Sequence, residues 1–252
     1  PVDDCMILHP LLNNLLHSLD MAYPELEWME LRAGTATGDL MLLLQAKEEQ
    51  APSLEVDFPL SIVQVDHDDV IVPLIGLDYI LERIHEREFR ISATSFFQVN
   101  SSQAAELVNI VMGALDLQGT EHVLDAYCGV GLFTTFIAAE AERVTGIEVN
   151  PPAIADANHN LANADNVDLL EGPMEDMLAQ VDGKIDAAVV DPPQAGLGPE
   201  VIDALAEQKP KCLVYVSCDP ATLARDCQRL ARKGYTLEWV QPVDLFPQTY
   251  HI

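Results

Sequence analysis

The chain has 252 residues, enough for one large domain or two modest ones, and nearly half of them are apolar, so a sizeable core can be buried. Thirteen Lys and Arg stand against 41 Asp and Glu, a formal net charge of −28 that favours solubility and repels polyanions. There is no run of about 18 apolar residues to span a membrane, and the five cysteines are odd in number and form no CxxC pair, which argues against a disulfide framework and for a reducing, cytoplasmic setting.

The amino terminus, Pro1-Val2-Asp3-Asp4, lacks the basic and apolar regions of a signal peptide. Pro1 stands where an initiator Met would, so a piece of a longer polypeptide is expected. The few cations fall into two groups: Arg83, Arg87 and Arg90, then Arg225, Arg229, Arg232 and Lys233. Any contact with nucleic acid should use those stretches, each of which reads equally well as a solvated face. No obligate protein partner is evident.

In chain order, Pro10 to Met21 reads as a short helix, with leucines at helical spacing. Trp28 to Arg32 and Leu40 to Gln45 read as strands joined by a turn at Gly34 and Gly38, and Ser61 to Val65, Val70 to Pro73 and Phe89 to Ser92 as further strands. This is a small α+β unit over residues 1–95, with no catalytic signature of its own. From there the rhythm becomes regular, and 96–252 is expected to form a second domain. Ala104 to Leu115 is helical, Val123 to Ala126 a strand, Leu132 to Ala141 helical, Val144 to Glu148 a strand and Pro152 to Ala162 helical. Val167 to Leu170 and Ala187 to Val190 are strands, Val201 to Ala206 is helical, Leu213 to Val216 is a strand and Pro220 to Arg232 a helix. Such alternation predicts an α/β, Rossmann-like domain: a parallel sheet with helices on both faces.

The segment Asp125-Ala126-Tyr127-Cys128-Gly129-Val130-Gly131 is a strand end, a glycine turn and a helix start. Glycines there let a ligand approach the backbone, and the helix amino terminus adds donors. The second strand ends at Glu148, a carboxylate placed to accept ribose hydroxyls of a nucleoside cofactor. A dinucleotide calls for a third glycine where this chain has Thr134, and Asp125 before the turn would repel a pyrophosphate. The same acid suits the cationic amino-acid end of S-adenosylmethionine, which is the expected cofactor; otherwise it merely caps the turn.

The strand Ala187 to Val190 runs into Asp191-Pro192-Pro193, where two prolines stiffen a loop at the edge that binds ligands in open α/β sheets. The next strand runs into Ser217-Cys218-Asp219-Pro220 and a helix. Cys218 thus sits at a helix amino terminus, where the dipole stabilises a thiolate, and is the candidate nucleophile. Cys212 and Cys227 read as structural.

Ser95-Phe96-Phe97-Gln98-Val99-Asn100, the Asp125–Gly131 turn, Asp191-Pro192-Pro193, Ser217-Cys218-Asp219-Pro220-Ala221-Thr222-Leu223-Ala224-Arg225-Asp226 and Phe246-Pro247-Gln248-Thr249-Tyr250-His251 occur in this order. Together they resemble the RNA uracil-C5 methyltransferases of ribosomal and transfer RNA, from about Cys5 onward. The resemblance implies an S-adenosylmethionine pocket lined by Gln98, Tyr127, Gly129, Gly131, Glu148 and Asp191, and attack on the base by Cys218. Phe96, Phe97 and Arg225 are the expected RNA contacts, one of the two phenylalanines being core packing instead. Ribosomal RNA is the favoured substrate. The alternatives are a non-catalytic module that binds S-adenosylmethionine or RNA, and a methyltransferase acting on another base.

Four departures from the family pattern accompany the match. Gln194 replaces the arginine that usually follows Asp-Pro-Pro. The family's catalytic glutamate is expected one position past Ile252. Cys5 matches the last of four iron–sulfur ligands found in part of the family, so a cluster is expected only in a longer chain. The amino-terminal oligonucleotide-binding domain common in the family has no counterpart here.

Overall fold

A computed structural model describes residues 5–19, 23–47, 55–68 and 70–248. The chain divides into two compact units, 1–95 and 96–252.

The first unit begins with helix α1 (Pro10–Ser18), shorter than its leucine pattern suggests; the end of that expectation lies outside the described residues. Strands β1 (Leu26–Ala33), β2 (Leu40–Ala46), β3 (Ser61–Val65) and β4 (Ile71–Ile75) form one sheet in chain order. Only β2 and β3 run parallel. Leu15 of α1 packs with Leu42, Leu44, Leu60 and Ile62 to make a core beneath the sheet. Strands β5 (Tyr79–Ile84) and β6 (Arg87–Ser92) form a separate antiparallel hairpin.

The second unit has the expected α/β architecture. Its elements are α2 (Ser101–Leu115), β7 (His122–Ala126), α3 (Leu132–Ile137), β8 (Arg143–Glu148), α4 (Pro151–Asn160), β9 (Val167–Glu171), α5 (Met174–Met177), β10 (Ala187–Val190), α6 (Pro199–Gln208), β11 (Cys212–Tyr215) and α7 (Pro220–Arg232). The five strands are all parallel, in the order β11-β10-β7-β8-β9. The chain therefore builds outward from β7 through β8 to β9, then returns to lay β10 on the other side of β7. That reversal opens a crevice at the carboxyl ends of β7 and β10, the usual place for a ligand in such sheets.

Alternation sorts the strand residues to two faces. Leu124, Ala126, Ala188, Val190 and Ile147 point into one buried apolar layer with Val201, Ile202 and Leu205 of α6 and Leu230 of α7. Asp125 points the other way, where the Thr134 hydroxyl of α3 donates to it at 2.5 Å. Helix α3 ends at Ile137, earlier than expected, because Ala139 and Glu140 bond back three residues to Phe136 and Ile137 and tighten the last turn.

Candidate functional site

The carboxyl edge of this sheet collects most of the residues singled out from the sequence. Tyr127, Gly129 and Gly131 follow β7, Glu148 closes β8, Asp191 follows β10, and Cys218 lies just beyond β11. The ladder continues past the strands, since the Val216 amide donates to the Val190 carbonyl at 2.9 Å and the Asp191 amide to the Ala126 carbonyl at 3.2 Å.

The turn after β7 is sharply wound. Tyr127, Gly129 and Gly131 take left-handed φ values of 65°, 54° and 86°. For the glycines this is inexpensive, and at Gly131 a Cβ would also press on Leu161 Cδ1 at 3.1 Å. Tyr127 holds the conformation at a cost of about 1–3 kcal/mol. Its ring packs against the apolar layer, and burial, followed by the charges of Glu175 and Asp226, pushes its hydroxyl up to about 12.

Glu148 is the clamp of this turn. Its Oε2 accepts from the Gly129 amide at 3.0 Å, and its Oε1 from the Val149 and Asn150 amides at 2.8 Å each. Oε2 keeps a lone pair for one further donor. Beside it, Tyr127, Ile147, Glu148, Val149, Gly172, Pro173, Met174 and Glu175 line a depression of about 220 Å³. A larger depression, about 530 Å³, opens at the opposite, amino edge, and its cations Arg143 and Lys184 are already paired with Asp168 and Asp186. It lies away from every strand-end residue named above.

Two carboxyls in this region carry protons more readily than usual. Burial pushes Asp125 up to about 7, opposed by the Thr134 hydrogen bond and assisted by the charges of Asp191 and Glu148. Burial alone pushes Asp191 up to about 7. Asp125 is fully buried, and its Oδ1 finds no hydrogen-bond partner among the described residues. A buried acid with a spare acceptor, beside two other acids, is a position that a cation relieves. The cationic amino-acid end of S-adenosylmethionine meets that requirement, and the glycine turn and the depression beside Glu148 meet those of its nucleoside.

Cys218 is half-buried in the loop that caps α7. Asp219 is the cap: its Oδ1 accepts from the Thr222 amide at 2.7 Å, and its own amide donates to Ser217 Oγ at 3.2 Å. Arg225, one turn further on, is committed within the protein. Its guanidinium grips Asp226 through Nε at 2.8 Å and Nη2 at 3.0 Å and donates to the Ala195 carbonyl at 2.7 Å. Phe96, Phe97 and Gln98 lie on the irregular segment before α2; Phe96 is 65% exposed, while Phe97 and Gln98 are half-buried. Cys5 lies in the first unit, where its amide and carbonyl bond the Asn13 side chain. Among the described residues no group of three or more His, Cys, Asp or Glu is placed to hold a metal ion, and no helix is long and apolar enough to cross a membrane.

Sequence reasoning missed Asp226 and Tyr215, and it gave the 172–175 wall of the depression no role. An acid one residue from an arginine looks like a surface pair, and nothing local announces that both reach back to another loop.

Fold and strand-edge site define the class: a Rossmann-like, S-adenosylmethionine-dependent methyltransferase fold. Its likeness is clear in the crystal structure of the Pyrococcus abyssi tRNA (uracil-54, C5)-methyltransferase with S-adenosyl-L-homocysteine, with TM-score 0.74 and 34% identity over 90% of this chain and 58% of that one. Residues 48–252 match the tRNA (Uracil-5-)-methyltransferase family, and the chain belongs to it. A protein of Bacillus cereus named an uncharacterized RNA methyltransferase is 39% identical over 243 residues, covering 88% of this chain and 53% of its own length. One from Gloeobacter violaceus is 43% identical over 181 residues, 71% of this chain and 39% of its own length. The chain spans about half the length of curated relatives that it matches over 243 and 249 residues.

Proposed function

We propose that this chain is the catalytic part of an RNA methyltransferase that methylates C5 of uracil through a covalent adduct between Cys218 and C6. The observation that carries the reading is the placement of Cys218 at the capped start of α7, on the same sheet edge as Glu148 and Asp191.

Uracil C5 is a weak nucleophile. Addition of the Cys218 thiolate at C6 forms an S–C6 bond and moves the C5=C6 electron pair into an enolate over C5, C4 and O4. S-adenosylmethionine, when bound, supplies an electrophilic methyl group. C5 of the adduct would take that methyl as the sulfonium–methyl bond breaks and its electron pair stays on sulfur, leaving S-adenosylhomocysteine, and C5 then carries both methyl and proton. Removal of the proton to a base restores the C5=C6 double bond and expels the Cys218 thiolate. The chain's own contribution is placement. Glu148 and the glycine turn hold the nucleoside end of the cofactor, Asp125 and Asp191 face its cationic end, and Phe96 offers a ring for a base taken out of its stack. Ribosomal RNA is the substrate favoured from the sequence, whereas the solved relative is by its name a transfer RNA enzyme. Both RNAs belong in the assay.

The test is incubation with S-adenosylmethionine and RNA containing 5-fluorouridine, whose fluorine blocks the final elimination, followed by mass spectrometry of the protein. A methylated nucleotide adduct on the peptide carrying Cys218, absent in Cys218→Ala, is the expected result. Methyl transfer to ordinary uridine in RNA by Cys218→Ala would overturn the covalent route.

A further inference from the structure

The side chain of Asp226 is fully buried, yet it is among the most heavily used acceptors in the second unit. Its Oδ2 accepts from the Leu197 amide at 2.8 Å, the Tyr215 hydroxyl at 3.0 Å and Arg225 Nη2 at 3.0 Å. Its Oδ1 accepts from Arg225 Nε at 2.8 Å and sits 3.5 Å from Arg229 Nη1. Arg225 in turn reaches the Ala195 carbonyl at 2.7 Å. Gly196, between those two loop residues, has a φ of 76°, and a Cβ there would run into the Asp226 carboxylate and the Arg225 guanidinium.

These bonds join three pieces of chain that carry the site. Leu197 and Ala195 end the loop that starts at Asp191-Pro192-Pro193. Tyr215 is the last residue of β11. Asp226 lies in α7, whose cap follows Cys218. Cys218 therefore lies within a segment, 215–226, running from the end of β11 into the first turns of α7, whose two ends are bonded to each other. The same carboxylate pins that loop to the neighbouring one. Burial by itself would raise the Asp226 carboxyl; the bonds from Arg225, Leu197 and Tyr215 outweigh it and hold the group below its ordinary value. The anion is thus kept in place by its donors, not by solvent.

We propose that Asp226 is a positioning residue: with Tyr215 and Arg225 it sets the Cys218 loop against the Asp191-Pro192-Pro193 loop. On the proposed function, on which this consequence rests, it thereby fixes the sulfur relative to the bound base and the methyl donor. Arg225 serves this clamp and leaves RNA contact to other groups.

Tyr215→Phe removes one bond and keeps the ring. Asp226→Asn removes the charge. Two readouts on the full chain decide the matter. The first is amide hydrogen exchange. Both variants are expected to speed exchange in 195–198 and 216–222 together by about tenfold or more while leaving β7 and β8 protected. The second is adduct formation on 5-fluorouridine RNA at saturating RNA, expected to fall by about tenfold to a hundredfold with RNA affinity and S-adenosylhomocysteine affinity unchanged. Should Asp226→Asn fail to fold, Tyr215→Phe decides alone. Slackening of one loop only, or an undiminished adduct rate with both loops slack, overturns the proposal. If wild-type protein forms no adduct, the proposed function fails, and the exchange result still decides whether Asp226 couples the loops.

Discussion

The Glu148 carboxylate accepts a hydrogen bond from the Gly129 amide at 3.0 Å and so ties the end of β8 to the glycine turn after β7. Glu148 also lines the 220 Å³ depression. One side chain thus shapes the turn and lines the depression. Glu148→Ala is expected to weaken S-adenosylhomocysteine binding by about tenfold or more, since a hydrogen bond to a charged group contributes about 1.5–3 kcal/mol. Titration calorimetry with equal affinity for both proteins would remove Glu148 from the site.

Asp125 predicts a pH dependence with a definite sign. Its folded-state value, about 7, lies above its ordinary 3.8. The associated stability is full below about 4 and is lost as pH rises through about 7, where the unfolded chain has already ionised. Asp125→Asn keeps an acceptor for Thr134 and cannot ionise. Its stability relative to wild type should therefore rise from pH 4 to pH 8, by up to about 4 kcal/mol on the scale of 1.36 kcal/mol per pH unit. Urea unfolding of both proteins at several pH values measures this; a constant difference would show that Asp125 ionises normally.

Charge predicts an unusual salt response. The formal net charge is −28, and five of the seven cations that looked available for RNA are drawn into pairs: Arg83 with Glu88, Arg90 with Asp78, Arg225 and Arg229 with Asp226, and Lys233 with Asp203. Most nucleic-acid binders lose affinity as salt rises because they release counterions. Here salt should screen repulsion, so association with RNA is expected to speed up by about tenfold between 0.05 and 0.5 M monovalent salt. Stopped-flow fluorescence with labelled RNA reads the rate, and a steep fall with salt would point to a basic surface formed elsewhere.

Phe96 is 65% exposed, so its removal should leave the fold intact. If its ring stacks on the extruded base, Phe96→Ala should weaken RNA binding by about 1–3 kcal/mol without shifting the melting temperature. Fluorescence anisotropy with a short uridine-containing RNA gives the affinity; unchanged binding would assign the stacking to another group.

Where local pattern coincides with burial, the sequence was readable. The apolar run Ala187 to Val190 is fully buried in the middle of the sheet, and the glycine turn sits where strand and helix meet. Strand β5 went unseen because Glu82 and Arg83 interrupt its alternation. Glu82 is in fact 2% exposed, its carboxylate accepting from the Thr35 and Ala36 amides across a turn far away in sequence. Helix α5 covers four residues, too few to show a period. The basic stretch of α7 has the spacing of an RNA-facing helix, but two of its arginines bond to a buried acid and to carbonyls some thirty residues away. No local reading of sequence contains those carbonyls.

The left-handed backbone of Tyr127 has a consequence for how this position can change. Backbone preference and side-chain utility pull in opposite directions there. Glycine or asparagine would suit the dihedral angle, and either would delete the ring that rests on the apolar layer. Variants ranked by backbone ease alone would drift toward glycine at 127, while variants ranked by cofactor retention would keep an aromatic residue and bear its strain. Comparing two such selections at this single codon would separate what the turn needs from what the pocket needs.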